Sequence, residues 1–107
     1  MRVETLVDAQ VVTADTQSSS FEFHMPKTIR GIVQYTTTSF SGLTNIKFTL
    51  QGRLNEDHDW VDVVDSDKTH TGNASSATED ISLYPLMRCD MDVTGTGTVT
   101  CEVSVGA

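Results

Sequence analysis

Six of the fifteen carboxylates fall within twelve positions, at Glu56, Asp57, Asp59, Asp62, Asp65 and Asp67. Oxygen-rich loops of this kind suit hard cations, so calcium is the first chemistry to weigh. Asn55-x-Asp57-x-Asp59 matches the opening ligand positions of an EF-hand loop and makes Asn55, Asp57 and Asp59 the candidate calcium ligands. The match then fails, because Trp60 stands where the sharp turn needs glycine and Ser66 where a bidentate glutamate is required. The preferred reading is therefore a solvated hairpin tip, with no metal or other cofactor expected. The two cysteines, Cys89 and Cys101, form no zinc knuckle, since His24, His58 and His70 fall at no ligand interval from them. They are expected to be small buried hydrophobes kept reduced, although one strand register brings them close enough for a disulfide.

Nothing in the chain reads as catalytic machinery. Acid–base work by paired carboxylates needs two groups in different environments across a cleft, and no pattern places the second one. Serines, aspartates and three histidines are present, but neither a Gly-x-Ser-x-Gly elbow nor a phosphate-cradling glycine loop occurs. An enzyme is not expected. The sole tryptophan, Trp60, has two registers open to it. In one it lies across from Leu54 as a core anchor with Val64 inward. In the other Val61 and Val63 face in, and the indole turns outward beside His58 and Asp59 as a contact for a sugar or a partner. Core burial is the preferred register, since tryptophan is usually well buried.

The elements that must position these residues are strands. Ile46, Phe48, Leu50 and Leu54 fall on one parity, and Lys47, Thr49, Gln51 and Arg53 on the other. Alternation with period two marks a strand with one dry and one wet face. The acidic tip at 55–59 and the run from Trp60 to Val64 complete a hairpin. Upstream, 6–13 reads as one or two short strands, and Phe21–His24 as a strand stopped by Pro26, which lacks a ladder donor. Thr28–Thr38 has Ile29, Gly31, Val33 and Tyr35 on one face and Ile32 on the other, and Ser39–Asn45 reads as a turn-rich connection. Downstream, 65–76 is polar with a turn at Gly72-Asn73, and Ile81 and Leu83 mark a short strand ending at Tyr84-Pro85. Met87, Cys89, Met91 and Val93 alternate with polar residues, as do Val99, Cys101, Val103 and Val105. The Thr-Gly-Thr-Gly run between them predicts a closing hairpin. Parity then allows Cys89 or Met91 to face Cys101 and excludes a two-residue loop at Gly95-Thr96.

The expected architecture is one all-β domain over 1–107, an antiparallel sandwich or jelly roll of about eight short strands with little or no helix. Thr, Ser and Val abound, only two prolines occur, and no sustained helical stripe is present. A net charge of −8 with scattered basic residues argues against nucleic acid as a partner. No apolar segment reads as a signal peptide or a membrane span, so synthesis in the cytoplasm is expected.

Several stretches together resemble a known group. They are Leu6-Val7-Asp8-Ala9-Gln10, Ser19-Ser20-Phe21-Glu22, Phe48–Leu54 with Trp60-Val61-Asp62-Val63, Met87–Thr94 and Gly97–Thr100. In that order they look like the small β-sandwich virion proteins of tailed bacteriophages, which act as head decoration (cement) proteins or small tail and fibre components. The resemblance implies a non-enzymatic virion protein, made in the host cytoplasm, that decorates the capsid surface as an oligomer, often a trimer, over the junctions of the major capsid protein. The alternative it leaves is a carbohydrate- or calcium-binding module of a tail or receptor-binding part, with His58, Asp59 and Trp60 as the contact. In that group the hairpin commonly carries a Ser-x-Asp-Gly-x-x-Trp turn, whereas this chain has Arg53-Leu54-Asn55-Glu56-Asp57-His58-Asp59-Trp60. The glycine is missing and the tip is more acidic, which implies a different turn. Residues 1–13 are expected to serve as an edge strand or oligomerisation arm.

Overall fold

Two strands carry the architecture. β4 (Ile29–Arg53) and β8 (Leu86–Gly106) are 25 and 21 residues long and run antiparallel, from Ile32 opposite Gly106 to Arg53 opposite Leu86. The computed structural model describes residues 3–18, 21–22 and 29–106, and among these there is no helix. All eight strands belong to one antiparallel sheet. β1 (Val3–Val12), β2 (Thr16–Gln17) and β3 (Phe21–Glu22) pair with β8; β5 (Val61–Asp62), β6 (Lys68–His70) and β7 (Ala74–Leu83) pair with β4.

The long strands cannot be straight. Twenty-five extended residues would span about 80 Å, whereas the longest dimension of the molecule is 43 Å. The rings of Tyr35 and Phe48, both on β4, nevertheless stack with centroids 4.8 Å apart. β4 therefore folds back on itself, and β8 turns the same corner beside it. The corner lies where the ladder slips, between Thr38 and Asn45 on β4 and between Thr94 and Thr100 on β8. Gly42 (φ 83°) and Gly95 (φ 95°) adopt the left-handed conformation there, which a side chain would strain. One half of the β4–β8 ribbon is flanked by β1 and β7, and the other by β2, β3, β5 and β6.

The core fills the space between the halves. Val33, Tyr35, Val99, Cys101, Val103 and Val105 come from one half, and Ile46, Phe48, Leu50, Met87, Cys89 and Met91 from the other. Each fully buried aliphatic or aromatic side chain contributes about 1.5–3 kcal/mol relative to exposure, so the folded-over arrangement is what lets a single sheet have an interior. The inward parity on β4 changes across the corner, from odd numbers at Val33 and Tyr35 to even ones at Ile46 and Phe48. On β8 it stays odd throughout. The slips in the ladder thus leave β4 one residue longer than β8 across the corner.

Several expectations change as a result. The closing hairpin at Thr94–Gly97 does not form: β8 runs through it, Cys89 lies opposite Leu50, and Cys101 lies between Thr37 and Gln10. Likewise Ser39–Asn45 is a bent part of β4, not a connection between strands. The strands among the described residues number eight, but two are long and span both halves. The polar run before Ile81 is itself strand, since β7 starts at Ala74, immediately after the turn at Gly72-Asn73. Leu54 lies beyond β4 and is exposed, and Gly52 takes the inward position against the Tyr84 ring. Of the strand expected at Phe21–His24, Phe21–Glu22 forms β3; Phe23, His24 and Pro26 lie outside the described residues, as do Met1, Arg2, Ser19 and Ser20.

Candidate functional site

Two polar constellations stand out, one between the halves and one on the surface. The inner one begins at Tyr35, whose hydroxyl donates to the Ser66 carbonyl at 2.6 Å. The Ser66 hydroxyl in turn donates to the Val63 carbonyl and accepts from the Leu50 amide. Burial pushes the Tyr35 phenol far above its ordinary value, so the group is a neutral donor. Alongside, Thr37 and Ser76 hold the ring of His70, with Thr37 Oγ1 3.0 Å from Nδ1 and Ser76 Oγ 2.6 Å from Nε2. Thr37 Oγ1 also donates to the Gly72 carbonyl and accepts from the Ala74 amide. A hydroxyl has one proton to give, so Nδ1 must donate to Thr37, and Nε2 accepts from Ser76. Phe48 meets the imidazole edge-on at 5.4 Å.

A serine against Nε2 resembles the start of a nucleophilic dyad, but the group behind Nδ1 is a hydroxyl. It carries no charge to stabilise an imidazolium. His70 is also only 4% exposed. This constellation is a neutral clasp holding the two halves together. Burial, and then the charge of Lys68, lower the His70 pKa below its ordinary 6.5. The folded state thus disfavours the proton relative to the unfolded chain. The clasp's full contribution is present above pH 6.5 and is lost as pH falls from 6.5 through the depressed folded value. Thermal unfolding between about pH 7.5 and about pH 5 is expected to show Tm falling with acid, with His70→Gln flattening that slope. Asp92, raised by burial and by Asp90 and Asp15, contributes in the opposite sense, so the difference between the two proteins isolates His70.

The surface constellation is built on the wet face of β4. Gln51 and Arg53 share that face, and Arg88 on β8 lies opposite Gln51. The loop at 54–59 brings Trp60 over them. Its tip is organised by Asn55, whose side-chain oxygen accepts from the Asp57 amide at 2.9 Å and lies 2.7 Å from His58 Nδ1. The guanidinium carbons of Arg53 and Arg88 sit 4.3 and 4.6 Å from the Trp60 ring centroid. Arg88 Nε donates to Gln51 Oε1 at 2.7 Å, and Gln51 Nε2 donates to Asp62 at 3.0 Å.

The anticipated contact residues therefore have definite places. Trp60 is half-buried outside the core, so the preferred core register gives way to the other one: Val63 is buried, Val61 shares its parity opposite Gly52 but is exposed, and the indole turns outward. The physical reason is that the pairing of Gln51 with Asp62 and Gly52 with Val61 leaves Trp60 on the wet face. His58 and Asp59 are exposed beside it, as are Asn55 and Asp57. The Asn55 oxygen serves the turn, and among the described residues no three His, Cys, Asp or Glu side chains gather to hold a metal ion. Both cysteines are buried free thiols; burial raises both, that of Cys101 to about 11. Their thiolate forms are scarce at neutral pH.

Neither a family model nor a curated protein matches the chain. Arg53 and Arg88 are the functional candidates that sequence reasoning passed over. Alternation put both on wet faces, but only the β4–β8 register brings them to one ring.

Proposed function

We propose that this domain is a non-enzymatic structural protein of a phage virion that decorates the outer capsid surface and stabilises it. The fold we infer for that role is a two-layered, jelly-roll-like β-sandwich, with the doubled-over sheet supplying both layers. The sequence resemblance suggests the virion. What the structure adds in support is β1, the end of the strand order, which among the described residues pairs only with β8 and has Val3 and Val11 exposed by 58% and 62%. An edge strand with exposed apolar side chains suits strand addition or packing against a neighbouring copy or a capsid subunit. Many copies over the capsid junctions would each add modest binding energy, multiplied by avidity.

Incubation with purified capsids, followed by imaging and a heat or salt challenge, tests both location and role. Deleting residues 1–13 would also remove Val7 and Val12 from the core. The cleaner variant is Val3→Glu with Val11→Glu, which alters only exposed positions. Loss of oligomers and of capsid retention with an unchanged unfolding profile is the expected outcome; retention of both would refute the role of this edge.

The position of Trp60 favours a second reading, a carbohydrate-binding module of a tail part. Against it, the two guanidiniums pack where a sugar would stack. A tryptophan emission that responds to added sugars would support this reading.

A further inference from the structure

The geometry points to Arg53, Trp60 and Arg88 as a docking site for side-chain carboxylates of a partner protein. It rests on the reading that the domain works through surface contacts, and it supplies the chemistry of one of them. Two cations are held at one indole ring in a chain of net charge −8, yet neither pairs with a carboxylate among the described residues. Two cations gathered at one ring repel each other, and a carboxylate bound beside them would recover that free energy.

Gln51 is placed to keep the site open. Its amide nitrogen holds Asp62, and its oxygen takes Arg88 Nε, so the nearby carboxylate is occupied while the guanidinium is oriented. Both terminal nitrogens of Arg88 remain without a hydrogen-bond partner among the described residues. Arg53 reaches the Glu56 and His58 carbonyls only at 3.5 and 3.4 Å through Nη1, and its Nε is buried without a partner. Both guanidiniums are held at cation–π distance from Trp60, and a guanidinium fork matches a carboxylate with two parallel bonds. Glu56 and Asp59 are exposed alongside, and their charge would turn away a diffuse polyanion while admitting a carboxylate that reaches the arginine pair.

The test is calorimetry together with Trp60 fluorescence, using a blocked Gly-Glu-Glu-Gly peptide, its glutamine counterpart and inorganic phosphate as probes. The expected result is saturable binding of the glutamate peptide alone, weakened by salt. Arg88→Gln should weaken it roughly tenfold and Arg53→Gln with Arg88→Gln should abolish it, since each removes charge-assisted bonds. Among the described residues Arg88 makes its one hydrogen bond to the side chain of Gln51 and otherwise rests on the Trp60 ring at the surface, so Arg88→Gln keeps the test valid if the double variant fails to fold. Absence of saturable heat at millimolar peptide, undiminished binding by Arg88→Gln, or binding of phosphate without the peptide would each overturn the proposal. Capsid retention, measured separately, distinguishes the two claims. Retention with no peptide binding sinks the site and spares the capsid role, while peptide binding with no retention does the reverse.

Discussion

Gly97→Ala is expected to cost about 3 kcal/mol or more, because no relaxation of a side chain can make room for the added methyl. A Cβ built at Gly97 collides with the Ser41 carbonyl and comes within 2.7 Å of the Leu43 nitrogen and 2.8 Å of the Gly42 carbonyl carbon. All three are backbone atoms of β4 at the corner. Moving them would shift the ladder that sets which face of β4 points inward, so the strain is not local. Gly72→Ala is the matched control: a Cβ there meets nothing within 4 Å, and a change within about 0.5 kcal/mol is expected. Urea unfolding of the two variants beside the parent measures the difference. A Gly97→Ala protein as stable as the parent would mean that the two long strands do not approach this closely.

Tyr35→Ala is expected to be comparably damaging, at about 4 kcal/mol. It removes a fully buried ring stacked on Phe48 at an interplanar angle of 12° and the hydroxyl that reaches across to Ser66. Tyr35→Phe keeps the stack but leaves the Ser66 carbonyl without that donor, which predicts a smaller loss of about 1–2 kcal/mol. The ratio of the two effects apportions the junction between packing and hydrogen bonding. Near-ultraviolet circular dichroism should report the loss of the stack in the alanine variant and its survival in the phenylalanine one. Equal losses would show that the hydroxyl, not the ring, holds the halves together.

The dry faces of this sheet were legible because burial follows parity so closely. Met87, Cys89, Met91, Val99, Cys101, Val103 and Val105 are all buried, as alternation requires. Connectivity was not legible, for two different reasons. On β4 the inward parity changes between Tyr35 and Ile46, so a bulged strand looks like two strands joined by a loop. On β8 the parity is unbroken, which fits both a hairpin and a strand running straight through. The glycines at 95 and 97 tilted that choice toward a turn, whereas they serve close backbone approach at a bend.

Strand β7 was hidden by its composition. Ala74–Asp80 is polar and largely exposed, so it shows no dry face until Ile81. The candidate site was legible only in part. Trp60 drew notice as the sole tryptophan, but Arg53 and Arg88 are distant in the chain, and only strand register unites them. The His70 clasp gave no sequence signal, since Thr37 and Ser76 are ordinary strand residues until the sheet doubles over.

The central place of β8 sets the order in which this molecule can be assembled. It is the last of the eight strands to leave the ribosome, and β1, β2, β3 and β4 all need it as their neighbour. β4 can recruit β5, β6 and β7 while the nascent chain is still growing, but its other side stays bare and β1 has nothing to join. Completion therefore requires the late segment to insert between elements made long before it, up to the contact of Gly106 with Val3. Such distant closures are slow, and a chain stalled before residue 86 would present β4 as an open template to other chains.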